Sequence, residues 1–486
     1  MKYINHILLL VIGALFLNSC EVIDLTPISS VTESNFYKTA DDIDQSVLGI
    51  YSNYQSRISR DWTLFEMPAD GFHPSTYKNI SGLEEMANLD FQPQNELFKS
   101  FWQSNYNGIF RCNAVLTHIE VPTNYNSDQK NQLKGEALFM RALYYFDMVR
   151  AFGGVPEVLT TITVNESKTI PRSSEEQIYS TIVADLKEAT GLLQEKTNVA
   201  KGRATKGAAF GLLGKVYIYL ENWSEANNAL EEVSKLDYSL LDNFSDLWTL
   251  ENEDNDEIIF AIKYVEGSNG QSLSSDFLPY FGVEGISTNG GELANISWSI
   301  QKLFMEEDSR KNATITETWR SPGSTEIPEW RPYVSKYAVP HVPFASGLDL
   351  PILRYADILL LKAEALYNLN QPEEAVQELN KVRSRAFGND TQNYTILDVP
   401  DMEAFYDKLL KERALELAYE NDRWFDLTRT GRFMTVLTEV EWSYNPTTGE
   451  AQKVSLNPQA YKKLFPIPQH EIDQSEAGVI EQNDGY

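Results

Sequence analysis

Gly135-Glu136-Ala137-Leu138-Phe139-Met140-Arg141-Ala142-Leu143-Tyr144-Tyr145-Phe146-Asp147-Met148-Val149-Arg150-Ala151-Phe152-Gly153-Gly154 is the stretch that decides the fold class. Leu138, Ala142, Tyr145, Val149 and Phe152 recur at steps of four and three, which draws an apolar stripe down one face of an α-helix. The pattern extends back to Gln129 and predicts a helix over 129–152. Gly153-Gly154 supply a C-terminal cap that accepts left-handed backbone, and Pro156 prevents continuation.

Working outward, the neighbouring segments read the same way. Phe98, Trp102, Tyr106, Ile109 and Val115 predict a helix from about Asn95 to Ile119, stopped before Pro122, and Ile43, Val47, Ile50 and Tyr51 share one face of an earlier helix. Downstream, Ser173 with Glu176 or Ser174 with Gln177 forms a capping box, and Ile178, Ile182, Leu186 and Leu193 follow as a buried face. Two later stretches resemble each other. Ala208 to Val233 carries Leu213-Gly214, Tyr217, Ala226 and Leu230; Leu359 to Val382 carries Lys362-Ala363, Leu366, Ala375 and Leu379. This is the spacing of a tetratricopeptide-like helical hairpin, in which small residues let two helices approach closely.

Between the two copies the periodicity fades. From about Tyr238 to Pro351, Gly, Ser, Asn and Pro cluster around Trp248, Trp298, Trp319 and Trp330, with one predicted strand over Glu257 to Val265. A long irregular insertion of this kind usually has a functional reason. Helical patterning resumes at Ile352 and continues through Asp401 to Thr428, where Lys411 to Leu427 alternates charge in the manner of ion pairs fixing a helical corner. Leu464-Phe465-Pro466-Ile467-Pro468 is extended and rigid. The expected architecture is all-α, with helix pairs at about 36–236 and 352–386 and a loop-rich ligand-binding insertion at about 238–351 carrying little β structure. Residues 36–486 read as one interleaved domain.

The N-terminus indicates export. Lys2 precedes an apolar run from Ile7 to Leu17, too short to span a bilayer core of about 30 Å, so residues 1–19 read as a signal peptide. Leu17-Asn18-Ser19-Cys20 is a lipoprotein cleavage site that makes Cys20 the lipidated N-terminus, with 20–35 as its tether. Cys112 is then the only thiol left, which excludes a disulfide-stapled fold and makes it a buried apolar filler.

Function classes narrow on composition. Seventy acidic residues against 41 basic ones, a net charge of −29, exclude a nucleic-acid binder and suit neutral ligands better than anionic ones. The five His are scattered, and the acidic run Glu251 to Glu257 lacks an EF-hand's glycine turn and closing Glu, so no metal site and no cofactor are expected. No nucleophile elbow or phosphate-binding glycine loop occurs, and no carboxylate pair stands out for glycoside hydrolysis, which argues against an enzyme. Aromatics are abundant, with 25 Tyr, 23 Phe and 9 Trp, more than a helical core requires. Flat rings stack on the apolar faces of sugars while polar side chains bond the hydroxyls. On that basis Trp62, Asp70, Tyr77, Trp298, Trp319 and Trp330 are the candidate ligand contacts.

Segments along the whole chain resemble the SusD-like (RagB/SusD) family of outer-membrane nutrient-binding lipoproteins. They are Val31 to Tyr37, Gly135 to Phe146, Gly202-Arg203-Ala204-Thr205-Lys206-Gly207-Ala208-Ala209, Leu353-Arg354-Tyr355-Ala356-Asp357-Ile358-Leu359-Leu360, Glu412 to Glu420, Arg423-Trp424-Phe425-Asp426-Leu427 and Leu464 to Gln469 with Gln482-Asn483. The resemblance implies four tetratricopeptide-like helix pairs in a right-handed scaffold, a ligand site on variable loops, and no catalytic residues. It further implies an oligosaccharide ligand, or in some members a peptide or glycoprotein. The implied partner is a SusC-type TonB-dependent β-barrel in the outer membrane, with the lipoprotein as its lid facing the cell surface.

Overall fold

The computed structural model describes residues 36–75 and 80–486. Six long helices come first: α1 (Ala40–Ile58), α2 (Glu96–His118), α3 (Gln129–Phe152), α4 (Glu175–Leu192), α5 (Lys206–Tyr219) and α6 (Trp223–Ser234). After the insertion come α7 (Tyr355–Asn368), α8 (Pro372–Phe387), α9 (Met402–Glu416) and α10 (Arg423–Arg429). The expected termini are present. Asn95 caps α2, Ser174 and Gln177 form the capping box of α4, and Gly153 closes α3 with φ 72°.

Each helix from α1 to α8 packs on the next, so four helix pairs form one array. The third pair (α5, α6) lies directly against the fourth (α7, α8), although residues 235–354 intervene in sequence. The interruption therefore loops out of the array without breaking it. Small residues set the helix spacing as anticipated: a Cβ on Gly214 would sit 2.5 Å from Leu230, and one on Gly108 would sit 2.1 Å from the ring of Tyr144. Ala226, Ala363 and Ala375 are fully buried, as is Cys112, whose thiol burial holds in its neutral form.

Among the described residues the β structure consists of four antiparallel two-stranded sheets: β1 (Phe72–Pro74) with β3 (Ala294–Ile296), β2 (Ile258–Ile262) with β6 (Leu350–Arg354), β4 (Ile315–Trp319) with β5 (Glu329–Val334), and β7 (Val440–Asn445) with β8 (Glu450–Val454). Two boundaries differ from the sequence reading. The predicted strand 257–265 shortens to β2, because its partner β6 is only five residues long and the register slips around Phe260. The helix expected from Ile352 begins at Tyr355, because Ile352 belongs to β6. The helical corner after α9 is a sharp turn in which Tyr419 and Asn421 take left-handed φ of 64° and 70°.

That corner is built on buried charge. Arg354 bonds Glu416 at 2.7 Å, Glu257 at 2.9 Å and Glu420 at 2.7 Å. Arg310 bonds Asp308 at 2.7 Å, Glu412 at 2.6 Å and Glu416 at 3.1 Å, and Arg385 closes the ring onto Glu257 and Glu416. Burial alone would raise the Glu416 carboxyl, but the guanidiniums of Arg385, Arg354 and Arg310 overcome it and hold Glu416 well below the usual carboxylate range. A second cluster joins α5, α7, α9 and α10: Lys215 and Arg413 both bond Asp357, and Arg413 also bonds Asp426. Burial is likewise outweighed at Asp357 by Lys215 and Arg413, which lower its carboxyl.

Glu416→Gln removes the one carboxylate shared by Arg354, Arg310 and Arg385, leaving them only Glu257, Glu420, Asp308 and Glu412, and destabilises the fold by about 3–5 kcal/mol, read as the shift in the urea midpoint. Because Glu416 and Asp357 are depressed in the folded state, their contribution is complete above about pH 4.5 and is lost as pH falls through their folded values. The acid limb of the wild-type stability curve is therefore steeper than that of Glu416→Gln.

Candidate ligand-binding site

The insertion and the C-terminal hairpin β7–β8 meet beside the segment Asp70–Pro74. Strand β3 pairs with β1 in the register Phe72↔Ile296, and the backbone of Ser297 donates to Gly71 at 2.9 Å while its hydroxyl donates to the Asp70 carbonyl. The short helix Trp298–Gln301 starts there, so the direction of Trp298 is fixed by β1. From the other side, Lys302 bonds Glu441 at 2.7 Å and the Glu441 backbone donates to the Ser299 hydroxyl at 2.8 Å, which clamps that helix onto β7.

The clamp brings three rings together. Trp298 and Tyr444 stack at 4.2 Å with planes 12° apart. Trp330, from β5, stands edge-on to both, 6.3 Å from Trp298 and 6.1 Å from Tyr444. Close by, His73 stacks on Trp442 at 5.7 Å. All five side chains are half-buried, held by one another and still open to solvent. Burial pushes the His73 imidazole down to about 4, so the ring is neutral over the ordinary working range.

Of the five predicted contacts that lie among the described residues, the structure brings together Trp298 and Trp330. Trp62 is 1% exposed, wedged edge-on against Phe72 and Phe277 under β1, so it belongs to the core and cannot stack on a ligand. Asp70 is buried in a bidentate pair with Arg423 at 2.7 Å, and that guanidinium, outweighing burial, holds its carboxyl below the usual range. Its carboxylate is committed, and its role is to position β1. Trp319 is 7% exposed and faces away: Thr318 pairs with Trp330 and Trp319 with Glu329, so alternation sends the two indoles to opposite faces of the hairpin. Trp319 donates to the Gly282 carbonyl at 2.8 Å, beneath Phe281 and Arg331. Tyr77 and Cys20 lie outside the described residues.

Tyr444, Trp442 and His73 were missed by the sequence reading. The signal was present in Val440-Glu441-Trp442-Ser443-Tyr444, which alternates and leads into Asn445-Pro446-Thr447-Thr448-Gly449, a hairpin turn. The larger hollows lie elsewhere. A groove of about 380 Å³ beside α2 is walled by Trp102, Tyr106, Phe110 and Val164, an open hollow of about 340 Å³ lies beside Asp128 and Arg203, and a cleft of about 270 Å³ lies between Lys196 and Lys263. The ring cluster lines none of these and is a half-exposed aromatic platform. Among the described residues, no group of three or more His, Cys, Asp or Glu is placed to hold a metal, and no helix is long and apolar enough to cross a membrane.

An array of helix pairs that presents an aromatic platform, two rings from the interrupting segment and one from the C-terminal hairpin, is the frame of a binding protein. The family model of the SusD family matches residues 333–486, and that described as "starch-binding associating with outer membrane" matches 22–218. The chain belongs to the SusD family. It is 27% identical to SusD-like protein P25 of Formosa agariphila, over 96% of this chain and 97% of that protein. A SusD-like protein of Bacteroides fragilis has the same fold, with a TM-score of 0.78 at 24% identity over 93% of this chain and 98% of that one. Surface glycan-binding protein A of Bacteroides thetaiotaomicron, solved with laminarihexaose, matches with a TM-score of 0.75 at 22% identity over 92% and 99% of the two chains.

Because His73 is already neutral, ligand affinity is flat from about pH 5 to about pH 8 in a titration series. An inflection near pH 6 to 7 that vanished in His73→Gln would contradict the neutral ring.

Proposed function

We propose that this chain is a cell-surface glycan-binding lipoprotein that captures an oligosaccharide on Trp298, Trp330 and Tyr444 and delivers it to a SusC-type TonB-dependent outer-membrane transporter. The observation that carries the reading is the preassembled, half-exposed ring cluster on the loop-rich side of the molecule. Rings already locked against one another lose little conformational freedom when a sugar face settles on them, so most of the contact energy appears as affinity. The related protein solved with laminarihexaose and the family descriptions support a carbohydrate ligand. The reading contains no chemical step, and the ligand leaves unchanged.

The N-terminal features complete the proposal. Cleavage before Cys20 and lipidation of its thiol anchor the chain in the outer membrane, and residues 20–35 tether it there. Cys20→Ser then releases the protein to the soluble fraction of cells; persistence in the membrane pellet would remove the anchor from the account.

For the platform, Trp298→Ala, Trp330→Ala and Tyr444→Ala each cost about 1–3 kcal/mol of binding, measured by affinity gel electrophoresis and calorimetry on whichever polysaccharide retards the wild type. Trp319→Phe, on the opposite face of the hairpin, leaves affinity unchanged. Binding of peptides with indifference to every glycan would transfer the scaffold to the peptide reading.

A further inference from the structure

Resting on the glycan-binding reading above, we infer that the platform selects an uncharged glycan chain and rejects polymers bearing uronate or sulfate groups. The inference comes from where the cations around the rings are spent. Lys302, which follows the Trp298 helix, is bonded to Glu441 at 2.7 Å. Arg331, next to Trp330, lies on the Trp319 face of the hairpin and is held by Glu292 and by Glu329, the latter at 3.1 Å. Lys453, across from Glu441 on β8, bonds Glu439 at 2.7 Å. Lys311, before β4, is shared between Glu306 at 2.7 Å and Glu317 at 3.2 Å. His73 is neutral, its charged form disfavoured by burial.

Recognition of a carboxylate or sulfate needs a donor with charge to give, most effectively a bidentate guanidinium. Among the described residues, the one cation on or directly beside these strands that makes no ion pair is Arg320, exposed immediately after β4. A single exposed guanidinium in water gives a preference of about fivefold at most. Opposing it are the aromatic faces, whose quadrupole is negative and favours C–H groups over anions. Glu450, at the start of β8, also makes no ion pair among the described residues. The net charge of −29 adds a repulsive field, but at moderate salt it is screened beyond about 10 Å, so the local pairing decides selectivity.

The test is affinity electrophoresis of the purified protein in gels containing laminarin as a neutral glucan, alginate as a uronate polymer, or a sulfated galactan, each at low and at raised salt. The expected result is retardation by a neutral polymer, independent of salt and abolished by Trp298→Ala, with none by the acidic polymers. Arg320→Gln leaves this pattern as it is. Salt-sensitive retardation by an acidic polymer that disappears in Trp298→Ala or in Arg320→Gln would overturn the inference while leaving the glycan-binding reading in place. Failure of every polymer, neutral and acidic, would instead overturn that reading and the inference with it.

Discussion

Glu416 is the constraint on which the rest of the structure depends. Its carboxylate is fully buried, and it accepts bonds from Arg354, Arg310 and Arg385, which come from three different parts of the chain. A lone buried carboxylate would cost several kcal/mol, so the arrangement stands only when all three guanidiniums arrive together. That requirement fixes geometry more than it adds stability, since a buried ion pair gains little over a well-packed apolar substitute. Arg310 and Glu257 belong to the insertion, Arg354 ends β6, Arg385 sits on α8, and Glu416 ends α9. The irregular segment is thereby fastened to α8 and α9.

From that point the positioning runs outward to the site through contacts that can be named in order. The turn after α9 leads into α10, whose first residue, Arg423, grips Asp70. The carbonyl groups of Asp70 and Gly71 receive Ser297, and Ser297 precedes the helix that carries Trp298. The hairpin β7–β8 then closes against that helix through Lys302 and Glu441 and brings up Tyr444. The rigid helical array supplies the reference frame, and the insertion supplies a surface whose rings are set by successive hydrogen bonds and ion pairs.

Much of this was legible in the sequence because it follows from period and composition. The helix over 129–152, the capping box at Ser174 and the small residues at Gly214 and Ala363 each name a local geometry, and each is found, although that helix is buried on every side from Gly135 to Val149 and not along one stripe alone. The charged run from Lys411 to Leu427 was readable as ion pairs at a corner, although its partners Arg310, Arg354 and Asp70 lie too far away in sequence for any local pattern to reveal. The site was legible in kind but only partly in detail. Trp62 and Trp319 have the same chemistry as Trp298 and Trp330, and what separates them is burial and strand alternation, which depend on the registers of β1 with β3 and β4 with β5. Asp70 illustrates the same limit: its carboxylate is spent on Arg423, a residue more than three hundred positions away. Tyr444 escaped notice because it lies outside the insertion, on a hairpin that follows the last helix.

The central claim is that Trp298, Trp330 and Tyr444 together receive the ligand, and a crystal structure of the protein with a neutral oligosaccharide tests it most directly. The account predicts sugar rings laid across these three side chains, with carbon atoms within about 4 Å of the aromatic faces. A saccharide lodged in the groove beside α2 between Phe110 and Val164, or on the Phe281 side of the β4–β5 hairpin, with the three rings bare, would contradict it.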